Sequence, residues 1–114
     1  MAGTIKRLFG PLALTTTLTT NVYAGAGGSA LLFDVVRHIH IANKTGAAAT
    51  FTLYLGATGG NAAGTELFLG VSIPANDYFD WYGTLRMIST DFLVGGSNST
   101  TALTITGMGD QNVI

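Results

Sequence analysis

His38 and His40 are the two histidines of a 114-residue chain that has no cysteine. Two positions apart on a strand, they share a face at roughly 7 Å by strand rise, a spacing that can hold one metal ion. A metal centre takes three or four ligands. On the same phase the nearest carboxylate is Asp34, which leaves the set short, and no metal or other cofactor is expected. The plainer expectation is a pair of imidazoles facing solvent or a protein contact. If copies met around an axis there, the protonated rings would repel and the contact would be acid-sensitive.

The remaining reactive residue types assemble no catalytic motif. Gly25-Ala26-Gly27-Gly28-Ser29 resembles a phosphate cradle, but such loops open a helix and carry a lysine. This one runs into Ala30-Leu31-Leu32-Phe33 and reads as a turn. Asp77 and Asp80 leave a turn towards opposite strand faces and lack the spacing of a calcium loop, so they read as solvated acids. Ser29, Ser72, Ser89, Ser97 and Ser99 have no nucleophile-elbow context. The missing cysteine removes thiolate nucleophiles, thiolate zinc sites and disulfides together. No enzyme activity and no small-molecule substrate are expected.

Strands must position these groups. Val, Ile, Thr and aromatic residues dominate, and Gly/Asn/Ser/Asp clusters recur at intervals of about 10 residues, the cadence of an antiparallel sandwich. The expected strands run over 12–23, 30–42, 50–55, 66–73, 78–88, 91–94 and 102–107. The longest places Val35, Ile39 and Ile41 on one face and Val36, His38 and His40 on the other. Phe51, Leu53 and Leu55 alternate inward, as do Leu67, Leu69, Val71 and Ile73. Phe79 and Trp81 oppose Tyr78, Asp80 and Tyr82, with a bulge or bend at Gly83. Gly95-Gly96-Ser97-Asn98-Ser99 has turn chemistry, and Leu103 and Ile105 face inward. No stretch holds a helical period with caps. The expected fold is an all-β, antiparallel, jelly-roll-like β-sandwich of about seven or eight strands. Its core anchors are Trp81, Phe51, Ile39 and Ile41. Residues 1–25 are expected to form an extended N-terminal arm with the first strand, and 26–114 the sandwich.

Charge narrows the partners. With 5 basic and 6 acidic residues the net charge is −1, so there is no footprint for nucleic acid. Only 10% of residues are charged, against about 25% in an ordinary soluble domain, and 16 glycines and 17 threonines take up much of the difference. So neutral a surface favours association, and the working state is expected to be an assembly. Lys6-Arg7 followed by Leu8 to Leu14 imitates a signal peptide. That apolar stretch is interrupted by Gly10-Pro11 and followed by a threonine run, so neither a leader nor a membrane span of about 20 apolar residues is expected. Tyr23, Tyr54, Tyr78 and Tyr82 fall on outward phases or strand ends, where aromatics beside few charges suit protein contact. With Lys6, Arg7, His38 and His40 they are the candidate interface residues.

These residues follow the cadence of a group of small virion proteins of tailed bacteriophages. A Thr-rich lead ends in Tyr and a small-residue turn (Leu14 to Gly28). A V-x-x-I-x-I-A-N strand follows (Val36 to Asn43), then T-G-A-A-A-T-F-T-L (Thr45 to Leu53) and an I-P-A-N-D turn (Ile73 to Asp77). An aromatic strand through Trp81 to Gly83 and a closing L-T-I-T-G strand (Leu103 to Gly107) complete about 90 residues of resemblance. The resemblance implies an all-β particle component at the virion surface, made in the bacterial host cytoplasm, often a capsid decoration (cement) protein. It also implies partners: further copies of the chain, as a homotrimer at local three-fold positions, and the major capsid protein. On that reading the arm clasps a neighbour, with Lys6 and Arg7 set against acidic groups of the shell. The alternative is a tail- or neck-associated module, or one binding a receptor or carbohydrate through its tyrosines and the loop Gly56–Gly64.

Overall fold

A computed structural model describes residues 4–56 and 64–114. Eight strands follow in chain order: β1 (Thr4–Ala13), β2 (Asn21–Ala24), β3 (Leu32–Asn43), β4 (Ala49–Gly56), β5 (Glu66–Ile73), β6 (Tyr78–Met87), β7 (Phe92–Ser97) and β8 (Leu103–Val113). A 3-10 turn over Gly25–Gly28 joins β2 to β3. Among the described residues there is no α-helix, and so no helix long and apolar enough to cross a membrane.

The strands form two antiparallel four-stranded sheets, in the orders β1-β8-β3-β6 and β2-β7-β4-β5. Strand one pairs with eight, two with seven, three with six and four with five. This is a long hairpin rolled up on itself, the double-sheet jelly roll. The expected sandwich is the observed one.

Alternating apolar residues of both sheets meet between them. Ile39 and Ile41 of β3, Phe51 and Leu53 of β4, Leu93 of β7, and Leu103 and Ile105 of β8 are each at most 1% exposed. At the side where β5 and β6 form the sheet edges, four aromatic rings bind the sheets together. Phe51 lies 5.2 Å from Phe79 and 5.7 Å from Phe68, and Phe68 stands edge-on to Trp81 at 6.3 Å. Tilted and edge-on rings are the geometry favoured by the aromatic quadrupole. Trp81, expected as a core anchor, is half-buried beside a small apolar cavity of about 90 Å³ lined by Ile39, Leu67, Phe68 and Leu85. Phe51 is the anchor of this cluster and Trp81 its rim.

The N-terminal segment differs from the expected arm. From Thr4 to Ala13 it is an edge strand paired along β8, and Phe9 is 6% exposed in the core. The close seat depends on Gly107, where any Cβ would lie 2.1 Å from the Phe9 ring. The stretch that imitates a leader therefore has a structural use: Leu8, Phe9 and Leu12 pack on the sandwich. The threonine run 15–20 is a crossover rather than a strand, and its carbonyls at Thr15 and Thr20 accept from Ser97 and Gly95 of β7. Residues 4–24 thus belong to the same body as the rest.

Of the register shifts in the two sheets, three decide which side chains reach the core or the outer face. Val36 pairs with Gly109 but His38 with Met108, so β3 holds one extra residue near Arg37. Val36 pairs with Leu85 but His38 with Tyr82, which places a second bulge on β6 at Gly83–Thr84, as the glycine foretold. Phe51 pairs with Val71 but Leu53 with Phe68, a third on β5, where Gly70 sits at φ +59. A bulge reverses the alternation beyond it. Val36 rather than Val35 therefore joins Ile39 in the core, and Phe68 rather than Leu69 turns inward, leaving Leu69 70% exposed. Gly95-Gly96-Ser97, expected as a turn, continues β7, because only glycine fits there: a Cβ on Gly95 would lie 2.1 Å from the Thr52 carbonyl.

Candidate functional site

The outer face of the β1-β8-β3-β6 sheet carries five of the eight candidate interface residues, four of them clustered and Arg7 apart from these on β1. Beyond the β3 bulge, His38 and His40 point outward, and β6 runs antiparallel beside them with Tyr82 opposite His38, Asp80 opposite His40 and Tyr78 opposite Ala42. On the other flank β8 sets Met108 against His38 and Thr106 against His40. Directly opposed residues share a face, so the five polar and aromatic side chains form one patch.

Asp80 is its centre. One carboxylate oxygen, Oδ1, lies 2.7 Å from His38 Nε2 and 2.7 Å from His40 Nδ1. An ionised carboxylate only accepts hydrogen bonds, so His38 donates from Nε2 and His40 from Nδ1. The hydrogen bonds from His40 and His38 hold the Asp80 carboxyl below the usual carboxylate range. Each imidazole is also backed by a ring: Tyr82 stacks on His38 at 4.4 Å and 7°, and Tyr78 lies against His40 at 5.4 Å and 35°. Both tyrosines remain open, 61% exposed at Tyr78 and 72% at Tyr82. Arg37, at the bulge, pairs with Asp110 at 2.7 Å.

The third member of the histidine face is thus Asp80 and not Asp34. Because of the β3 bulge, Asp34 lies on the core phase and is fully buried. There it accepts from the Tyr23 hydroxyl, from the Ala26 backbone N–H at 2.7 Å and from Gln111 Nε2 at 3.1 Å. This hub fastens β2, the 3-10 turn and β8 to β3. Asp80 was legible as outward-facing, in phase with Tyr78 and Tyr82. Its meeting with the histidines depends on β6 lying beside β3, a contact across 40 residues.

The other candidates separate. Tyr23 is half-buried, stacked on Phe9 at 4.9 Å, and Tyr54 is 8% exposed; neither offers an outward ring. Lys6 and Arg7 lie on β1, the opposite edge of the same sheet, where Arg7 is opposite Met108 and Lys6 donates to Gln111 Oε1 at 3.1 Å. Most of the loop Gly56–Gly64 lies outside the described residues.

Tyr23 carries a testable consequence. Burial, then the hydrogen bond to Asp34, then the charge of Asp34 push its phenol far above the ordinary value. A raised folded-state pKa favours the neutral form, so its stabilisation is complete below pH about 10, where an unfolded tyrosine ionises, and is lost as pH rises beyond. At pH about 11, folded wild type and folded Tyr23→Phe are expected to show equal phenolate absorbance. Unfolding at that pH should release one more phenolate in the wild type. An extra phenolate in the folded wild type would refute the buried pair.

No family model matches this sequence, and no curated protein matches it. Among solved structures the chain is similar to one titled "Structure of infectious bursal disease virus Gt strain". The similarity has a TM-score of 0.26 and 10% sequence identity, and covers 95% of this chain and 28% of that one. The chain thus spans 28% of that neighbour's length. At this level the likeness gives neither a family nor a function, and the functional reading rests on the chain's own residues.

Proposed function

We propose that this chain is a structural component of a tailed-bacteriophage particle, a capsid decoration protein that bridges and stabilises major capsid subunits from the virion surface. The observation that carries the reading is the outer face of the β1-β8-β3-β6 sheet. Its exposed tyrosines stand beside half-buried Met108 and Thr106, and most of its charge is paired: Asp80 is hydrogen-bonded to both histidines and Arg37 pairs with Asp110. Aromatic and methionine enrichment with few unpaired charges is the composition of a protein interface core. The phage-like cadence of strands and turns points the same way.

In this role Tyr78 and Tyr82 are the anchors, His38 and His40 hold their rings in place, and Lys6 and Arg7 meet acidic groups of the shell. Three copies around a local three-fold position, each contributing contacts of about 1 kcal/mol, resist internal pressure through number rather than through any single bond. The role is non-catalytic.

Quantitative gel analysis of purified particles tests it. Hundreds of copies per particle are expected, and Tyr78→Ala/Tyr82→Ala protein should fail to rebind particles stripped of the wild type. A count near a dozen or fewer would overturn the decoration reading in favour of a tail or neck part.

One observation favours the alternative of a carbohydrate-binding module. A groove of about 360 Å³ on the other sheet is lined by Thr16, Leu18, Thr50, Thr52, Ser97 and Asn98 among others, a hydroxyl-rich wall suited to sugars. Glycan-array binding by the isolated chain, lost on Thr52→Val, would favour that reading.

A further inference from the structure

We propose that His38, His40 and Asp80 form a binding site for one divalent transition-metal ion of the zinc class. The site is argued from geometry alone and does not depend on the capsid reading. Its potential ligand atoms, one from each residue, lie within 4.8 Å of one another. Both imidazoles aim at the same oxygen of Asp80, so one nitrogen of each ring and the carboxylate are already gathered within reach of a single ion. Imidazole and carboxylate together suit zinc-class ions, whereas calcium and magnesium take oxygen ligands.

The adjustment is one of side chains rather than backbone. Around a tetrahedral ion with bonds of about 2.0–2.1 Å, neighbouring ligand atoms stand roughly 3.4 Å apart. The two 2.7 Å histidine–aspartate separations must open by roughly 0.7 Å to reach this, and the widest separation in the set, up to 4.8 Å, must close by roughly 1.4 Å. Side-chain rotation supplies that movement, since the three side chains are between 21% and 37% exposed. The backbone is already fixed by the pairing of β3 with β6, and Tyr82 and Tyr78 limit how far each imidazole swings.

For a neutral imidazole the protons balance within the ring. Each ring carries a proton on the nitrogen that donates to Asp80. As the ion enters, that proton moves to the other ring nitrogen, Nδ1 of His38 and Nε2 of His40, and the freed lone pair binds the metal. Asp80 is already ionised, and water takes the fourth position in the isolated chain. Of the nearby cations, Arg37 is engaged with Asp110 and Arg7 lies two strands away across β8.

Calorimetric titration of the untagged, chelator-stripped full chain with zinc chloride tests the site, with cobalt(II) as the spectroscopic probe. One ion per chain is expected, with the intense visible bands of tetrahedral cobalt. Each of His38→Gln, His40→Gln and Asp80→Asn should weaken binding by at least about tenfold. The chain has no other histidine and no cysteine, so imidazole-bound metal has no second place to go. Undiminished affinity in both glutamine variants, or no saturable uptake by the wild type, overturns the proposal. If those variants fold poorly, the wild-type imidazole NMR signals decide: both ring systems shifting with one equivalent of zinc supports the site, and unmoved signals overturn it.

Discussion

Asp34→Ala is expected to destabilise the fold by about 3–5 kcal/mol, read as a lower denaturant midpoint in two-state unfolding. The wild-type carboxyl is fully buried and accepts from three donors on three separate elements. Alanine strands the buried Ala26 N–H and the half-buried Tyr23 hydroxyl and Gln111 amide, and a buried donor left without a partner costs about 1–3 kcal/mol, a half-buried one less. Asp34→Asn keeps the volume and one acceptor oxygen, so about half of the loss should return. A cost below about 1 kcal/mol for the alanine variant would mean that water replaces the hub, and the account of how β2 is fastened would fail.

Phe51→Ala is expected to cost about 3–5 kcal/mol, the range for deleting a buried aromatic ring. Phe51 is 1% exposed and touches Phe68 of β5 and Phe79 of β6, so it joins both edge strands across the sandwich. The cavity would open where two sheet edges meet and where no third strand can close over it. Trp81→Ala removes a larger ring but from a half-buried position, so it should cost less. Chemical denaturation of the two variants beside the wild type provides the check, with unchanged m-values marking a change of stability alone. A larger loss at Trp81 than at Phe51 would restore tryptophan as the anchor.

The two losses differ in what they do to the outer face. Phe79 and Trp81 point inward from the strand that points Tyr78, Asp80 and Tyr82 outward. Repacking around Phe51 should therefore loosen β6 and weaken the proposed shell docking and the proposed metal uptake together. The Asp34 hub holds β2 and the turn, away from that patch, so Asp34→Asn should reduce stability while leaving both surface properties in place. A jelly roll built this way separates what holds the domain together from what it offers to partners.

Composition and alternation along the chain were enough to determine an all-β sandwich. Phe51, Leu53, Leu103 and Ile105 alternate with polar residues, and one-face burial needs only that period of two. Ile39 and Ile41 were placed correctly for the same reason, since they lie on one side of the bulge with no irregularity between them. The sequence also contained the outward phase of His38, His40, Tyr78, Asp80 and Tyr82, and Gly83 marked one bulge. It did not reveal the bulge near Arg37, which has no glycine to mark it, and so it put Asp34 on the wrong face.

Tertiary structure decided the rest, because pairing depends on which strands become neighbours and a local pattern is silent on that. Only the rolled topology sets β6 beside β3 and brings Asp80 to the histidines. Only the pairing of β1 with β8 turns an apparent arm into a sheet edge, and only packing against Phe9 and Asp34 draws Tyr23 inside. A single extra residue in a strand reverses every side chain beyond it, so the chemistry of this face was fixed by backbone register as much as by residue type.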